Sequence, residues 1–142
     1  RFSSSTGPIR ATMASNISMV VRSNAGPWRR SKLIAPIVSP ARVPWGQKAL
    51  TAYLGPPSPV WEAYDATELV KRRQSNANIL IDQGEADKFL TEQLDPAIFL
   101  LEARNHGQRV THRTQPGYDH SYYFVASFMG DHIAHHAAAL RH

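Results

Sequence analysis

Hydrophobic and polar positions form distinct blocks from residue 33 onwards, and three of these blocks predict β-strands. Leu33–Val38 ("LIAPIV") is a continuous apolar run bounded by turn residues, which is typical of a buried strand. The block "NILIDQG" predicts a second buried strand, formed around Ile79–Ile81 and stopped at Gly84. "RVTHRT" at 109–114 predicts a third strand, ended by a Pro-Gly pair.

Two helices are predicted before the second strand and two after it. The first covers Gln47–Leu54 and ends at a glycine, and the second begins with a capping-box pattern at Asp65 and Glu68 and reaches about Arg73. The third helix covers Lys88–Asn105 with an apolar stripe of Leu90, Leu94, Ile98 and Leu101. The last helix shows the i, i+3, i+4, i+7 rule at Val125, Phe128, Met129, His132, Ile133, His136, Ala137 and Leu140.

Strands and helices therefore alternate along the chain, and the apolar strands carry almost no polar positions. This rhythm predicts an α/β fold in which a parallel sheet is covered by helices. Binding sites of such sheets lie at the carboxyl ends of the strands. The loops that follow the predicted strands are therefore the place to look for chemistry.

Charge and composition exclude several classes of protein. The net charge is +5, but residues 1–32 hold six basic side chains and no acidic one, while residues 33–142 hold ten basic and eleven acidic groups. The folded part thus offers no basic surface for nucleic acid, and no apolar run has the length of a membrane span. The chain has no cysteine, which excludes disulfides and thiolate metal sites and leaves a reducing compartment as the default.

Residues 1–32 are rich in serine and arginine and show no sustained period of 2 or 3.6. Three interpretations stay open: a disordered arm, a transit-like leader, or sequence foreign to the domain, as a frameshift or a wrong exon would produce. All three predict that residues 1–32 contribute little to the fold. Residues 33–142 would then form the α/β unit as a fragment of a longer parent protein.

Two of the predicted loops carry an acid or a histidine. "QGEAD" places Glu85 and Asp87 after the second strand, and "QPGYDH" places Asp119 and His120 after the third. If the two strands are neighbours, an acid and the histidine meet above the sheet, and the acid can fix the tautomer of an imidazole that serves as general base. The order of acid before histidine, late in the chain, is that of α/β-hydrolases.

Less specific roles are open for each of these residues. Asp87 is also a natural N-cap of the following helix, Asp82 lies within the strand as a core hydrogen-bonding group, and Asp119 suits a turn. Ser121 suits the N-cap of the last helix, with Tyr122, Tyr123 and Phe124 packing its first turn. Of the "HIAHH" histidines, His132 and His136 fall on the apolar stripe and His135 points elsewhere. No acidic or second histidine cluster completes a set of three ligands, so a packed or surface role is favoured over a metal site.

Seven blocks occur in an order and spacing that resemble the carboxyl-terminal half of the S-formylglutathione hydrolase (esterase D) family. They are "API" at 35–37, "PWG" at 44–46, "AYLG" at 52–55, "AYDAT" at 63–67, "LIDQG" at 80–84, "GYDHSYYF" at 117–124 and "DHIAHHA" at 131–137. The resemblance covers about residues 33–142 and implies the carboxyl-terminal portion of an α/β-hydrolase fold. It assigns the catalytic histidine to His120 and its acid to Asp87.

The resemblance also implies an activity, namely hydrolysis of the thioester S-formylglutathione to formate and glutathione in formaldehyde detoxification. It implies no cofactor, no metal, no nucleic acid or membrane partner, and a homodimer of the full-length parent. A broad carboxylesterase and a non-catalytic hydrolase remnant are the alternatives.

The nucleophile of such an enzyme is a serine in a Gly-x-Ser-x-Gly elbow. None of the eight glycines is followed two residues later by serine. Ser18 lies between Ile17 and Met19, but Asn16 and Val20 stand where the elbow needs glycine, so Ser18 is a weak candidate. The sequence therefore predicts that this chain by itself is catalytically inactive.

Overall fold

The computed structural model describes residues 30–72 and 77–140 of the 142-residue chain. Ser18 and most of the basic segment 1–32 lie outside the described residues, so the proposed division of the chain at residue 32 stays a prediction. The first strand begins at Arg30, which makes the last three residues of that segment part of the sheet.

Three parallel strands form the centre of the described structure: β1 (Arg30–Ile34), β2 (Asn78–Gly84) and β3 (Val110–Gln115), in the order β1-β2-β3. Helices alternate with the strands as predicted. They are α1 (Pro44–Leu54), α2 (Ala66–Arg72), α3 (Pro96–Asn105) and α4 (Tyr122–Leu140), with a 3₁₀ turn at Pro59–Tyr64 and a single π-helical turn at Leu90–Leu94.

The two faces of the sheet bury different kinds of side chain. Ile81 is fully buried and belongs to an apolar core with Val70 of α2 and Phe99 of α3. Successive side chains of a strand point to opposite faces. Asp82 therefore faces the other side, where His132 of α4 contacts it. One face is thus an ordinary apolar core, and the other is built around a buried carboxylate.

The first strand was predicted over Leu33–Val38, and this placement is wrong. β1 ends at Ile34 because Ala35 has a φ of 45°, in the left-handed region, and Pro36 has no N–H to donate to a neighbouring strand. Ile37 and Val38 are buried in the loop that follows, so their hydrophobicity reflects burial outside a strand.

The single helix predicted over Lys88–Asn105 is also wrong. The π-helical turn Leu90–Leu94 stops at Asp95, whose φ is 26°, and Pro96 starts the separate helix α3. Because proline cannot donate to the preceding turn, the helix restarts there with a new buried face. Phe99 and Ala103 are buried, whereas Leu101 of the predicted stripe is 56% exposed.

Helix ends were predicted better than helix interiors. α1 ends at Leu54, and Gly55 follows with a φ of 87°, as predicted, although the helix starts three residues early at Pro44. Asp65 Oδ1 accepts the Thr67 N–H at 2.9 Å and the Glu68 N–H at 3.2 Å, which confirms it as the cap of α2. The Glu68 carboxylate contacts Arg42 and Lys71 at 3.0 and 3.1 Å, outside the capping pattern.

Helix α4 packs against the sheet through only part of the predicted stripe. His132 of the stripe is fully buried, while Met129 and Ile133 are 36% and 57% exposed. Phe124, which lies outside the predicted stripe, is also fully buried. None of the helices in the described ranges is long and apolar enough to cross a membrane.

Candidate active site

The loops that leave β2 and β3 are hydrogen-bonded to each other through their backbones. The Glu85 N–H donates to the Gln115 carbonyl at 3.0 Å, and the Ala86 N–H donates to the Tyr118 carbonyl at 3.0 Å. Gly117, with a φ of 76°, turns the chain after β3 so that residues 118–120 lie back over the end of β2. The expected meeting of the two loops is therefore present.

Asp87 and His120 are in direct contact across these loops. Asp87 Oδ2 lies 2.8 Å from His120 Nδ1, and Asp87 Oδ1 accepts the Phe89 N–H at 2.8 Å. The Asp87 side chain is fully buried, whereas the His120 side chain is 35% exposed. The alternative role of Asp87 as N-cap of the following helix is wrong, because the helical turn starts at Leu90 and has no side-chain cap. The Asp87 contact with the Phe89 N–H is a hydrogen bond within the loop.

This geometry prepares the imidazole for proton transfer. An ionised Asp87 accepts a hydrogen bond from Nδ1–H, which leaves the lone pair of His120 Nε2 available as a base. A buried carboxylate in this position can also stabilise the imidazolium that would form if Nε2 took a proton.

Two aromatic side chains that sequence reasoning missed surround the imidazole. Phe89 meets His120 edge to face, with ring centroids 5.6 Å apart and planes at 89°, and Trp45 lies 6.3 Å from the same ring. Trp45 and Phe89 contact each other at 4.5 Å. The only signal in the sequence was that Trp45 belongs to the "PWG" block and that Phe89 follows Asp87 by two residues. Their packing limits rotation of the His120 ring.

The other candidate acids lie elsewhere. Glu85 and Asp119 are exposed in their loops, and within residues 77–140 the carboxylate that contacts His120 is that of Asp87. Asp82 is fully buried on β2, which confirms its predicted role as a core hydrogen-bonding group.

Asp82 receives hydrogen bonds from three side chains. Arg113 donates to it twice, through Nε at 2.8 Å and Nη2 at 2.7 Å, Gln115 Nε2 donates at 2.6 Å, and His132 Nε2 lies 2.6 Å away. Burial alone would raise the pKa of Asp82, but these hydrogen bonds and the Arg113 charge outweigh it, so the pKa lies below its ordinary value. The hydrogen bonding between Arg113 and Asp82 in turn raises the pKa of the Arg113 guanidinium.

The histidines of the last helix have structural contacts. His132 is fully buried against Asp82, and His135 Nε2 lies 3.1 Å from the Asn78 carbonyl oxygen. Within the described ranges no cluster of three or more histidine or acidic side chains could hold a metal ion. The packed role predicted for His132 is confirmed.

Ser121 caps α4 as predicted, since its Oγ accepts the Phe124 N–H at 3.4 Å. The prediction that the three following aromatics pack the first turn is correct for Phe124 alone. Tyr122 is 94% exposed and Tyr123 is 73% exposed, although Tyr123 stacks on Tyr118 at 5.8 Å.

A pH dependence of stability follows from His112, which is half buried on β3. Burial lowers its pKa below 6.5, and the charge of Asp82 opposes this only in part. The unfolded state therefore binds more protons than the folded state just below pH 6.5. The contribution of His112 to stability is complete above that pH and is lost as the pH falls. We expect urea midpoints to rise between about pH 5 and 7, and His112→Gln to flatten that rise. An identical slope in the variant would assign the effect to another group.

Comparisons with known proteins show which family the chain is similar to. A family model described as "Putative esterase" matches residues 19–135. The S-formylglutathione hydrolase of Arabidopsis thaliana is 47% identical over 118 residues, which are 82% of this chain and 42% of that protein. The Rattus norvegicus protein of the same name is 49% identical over 119 residues, with the same coverage.

A solved structure gives the same result at the level of the fold. An S-formylglutathione hydrolase from Agrobacterium tumefaciens superposes with a TM-score of 0.73 at 40% identity, covering 78% of this chain and 40% of that one. The chain thus spans about two fifths of the length of the relatives it matches. The predicted resemblance and the predicted fold class, the α/β-hydrolase fold, are both confirmed.

Proposed function

Because this chain belongs to the esterase family, we propose that it is part of a serine hydrolase for the thioester S-formylglutathione. The observation that carries the proposal is the 2.8 Å contact between Asp87 and His120 at the carboxyl ends of two adjacent parallel strands. The identity of 47–49% to proteins named S-formylglutathione hydrolase supports the choice of substrate.

In the proposed reaction, His120 Nε2 takes the proton of a serine hydroxyl supplied by the rest of the protein. The serine oxygen attacks the formyl carbon, and the C–S bond then breaks as His120 returns the proton to the leaving glutathione sulfur. Water attacks the resulting formyl ester with His120 again as base, and His120 then gives that proton to the serine oxygen as the ester C–O bond breaks, which releases formate and restores the serine. Asp87 stays ionised throughout and holds Nδ1–H.

The chain is expected to show no turnover of S-formylglutathione by itself. It contains no Gly-x-Ser-x-Gly elbow, and an acid and a histidine cannot replace the nucleophile because the three groups act as a unit. Purified chain should release no formate and take up no fluorophosphonate label. Turnover that Ser18→Ala abolishes would show that Ser18 is the nucleophile after all.

The proposed function is tested in a chimera. The segment of the Arabidopsis thaliana protein that this chain matches is replaced by the corresponding segment of this chain, and formate release is measured. Activity comparable to that of the Arabidopsis protein is expected. A folded chimera that binds the fluorophosphonate at its serine yet turns over neither thioester nor ester would support the non-catalytic remnant.

The same chimera separates the thioesterase from a broad carboxylesterase. S-formylglutathione should be preferred over a simple aryl acetate, and equal turnover of both would favour the carboxylesterase. A role in formaldehyde detoxification, a cytoplasmic location and a homodimer of the full-length parent remain predictions.

A further inference from the structure

Gly84, the last residue of β2, lies against the backbone of the loop that carries His120. A methyl group built on its Cα would overlap the Tyr118 carbonyl oxygen, and it would lie 2.9 Å from the Tyr118 carbonyl carbon and 3.1 Å from the Asp119 carbonyl oxygen. These are backbone atoms, which cannot rotate away as a flexible side chain could. Any other residue at this position would push the two loops apart.

The need for glycine here is one of space. The glycines of the described ranges that have a positive φ are Gly55, Gly107 and Gly117, so the backbone of Gly84 lies outside the left-handed region and could carry a side chain. Close approach of two backbones is the other reason for glycine at a strand end. At Gly84 the approaching backbone belongs to the loop that ends in His120.

The close approach of Gly84 to Tyr118 affects the positions of Asp87 and His120. The Asp87 N–H donates to the Gly84 carbonyl at 3.4 Å, and the Ala86 N–H donates to the Tyr118 carbonyl at 3.0 Å. Asp87 is thus three residues from Gly84 in a tight turn, and His120 is two residues from Tyr118. A displacement at the junction of Gly84 and Tyr118 therefore changes the distance between Asp87 Oδ2 and His120 Nδ1.

We propose that Gly84 is a positioning residue of the hydrolase, which sets the separation of the two loops and so the contact between Asp87 and His120. This inference rests on the proposed function for its consequence in catalysis. The geometric part stands on the approach of Gly84 to Tyr118 and is testable in the chain alone.

The first experiment compares Gly84→Ala with Gly130→Ala in the full chain. Both variants add one methyl group to a glycine, but a Cβ at Gly130 in α4 has no neighbour within 4 Å. The readout is the downfield proton resonance of His120 Nδ1–H hydrogen-bonded to a carboxylate, assigned by its absence in His120→Gln. We expect Gly84→Ala to lose this resonance and Gly130→Ala to keep it, with both variants cooperatively folded.

A longer side chain should compensate for the displaced loop. In the Gly84→Ala background, Asp87→Glu extends the carboxylate by one methylene and is expected to restore part of the Nδ1–H resonance. In the unmodified background the same Asp87→Glu change should weaken it. A residue that only stabilises the fold would not produce this reversal of sign.

The chimera supplies the catalytic readout. Gly84→Ala is expected to lower kcat by about 10²-fold with KM nearly unchanged, since a displacement of about 1 Å between reacting groups has effects of this size. An unmodified chimera without activity would contradict the proposed function and leave the resonance to decide the positioning role. An unchanged resonance in Gly84→Ala overturns the proposal, and so does a Gly84→Ala variant that fails to fold in both chain and chimera.

Discussion

Asp82→Ala is expected to lower the free energy of unfolding by about 3 kcal/mol, the lower end of the range for removing one partner of a buried ion pair. The Asp82 side chain is fully buried, and its loss leaves the Arg113 guanidinium and the His132 imidazole without the carboxylate they contact. Arg113 is 33% exposed and can recover some hydration, which is why the lower end applies. Urea denaturation at neutral pH measures the change.

The matched control is Asp131→Ala, which removes the second carboxylate bound to Arg113. Asp131 contacts Arg113 Nη1 at 2.8 Å but is 57% exposed, so its loss should cost no more than about 1 kcal/mol. Because the pKa of Asp82 lies below its ordinary value, its contribution is present above about pH 4 and lost as the pH falls through the folded pKa. Equal effects of the two substitutions would show that burial of Asp82 carries no special weight.

The sequence located β2 better than it located α3, for a physical reason. The apolar run in β2 reflects burial on both faces, which local hydrophobicity reports directly. The break at Asp95 and Pro96 depends on a backbone conformation that hydrophobic spacing does not encode. The prediction that Leu101 lies on the buried face is wrong, because the new helix α3 starts at Pro96 and buries Phe99 instead.

The candidate site was predictable up to the choice of acid. Adjacent parallel strands bring the loops after β2 and β3 to one edge, and that step needed only the alternation of elements. Asp82, Asp87 and Asp119 all stood near this edge, and the selection of Asp87 rested on the family resemblance. The distance that selects it depends on the approach of two backbones at Gly84, a contact between residues far apart in the sequence.

In the chimera, His120→Ala is expected to lower kcat by about 10⁶-fold and Asp87→Asn by about 10⁴-fold, because in the proposed reaction the histidine makes every proton transfer and the acid only orients it. The amide introduced by Asp87→Asn would keep an oxygen for the Phe89 N–H but present an N–H to His120 Nδ1, which favours the tautomer with the proton on Nε2. Steady-state formate release measures both variants.

A surface histidine of similar exposure separates catalysis from stability. The His106 side chain is 37% exposed and contacts Glu102 at the end of α3, and the His120 side chain is 35% exposed. His106→Ala should therefore leave kcat unchanged.

If Asp87 acts only through His120, then Asp87→Asn added to His120→Ala should lower kcat almost no further, because the imidazole that the carboxylate orients is gone. A full additional loss in the double variant would mean that Asp87 has a separate role. A larger loss in Asp119→Asn than in Asp87→Asn would move the acid to the neighbouring loop, against the 2.8 Å contact on which the assignment depends.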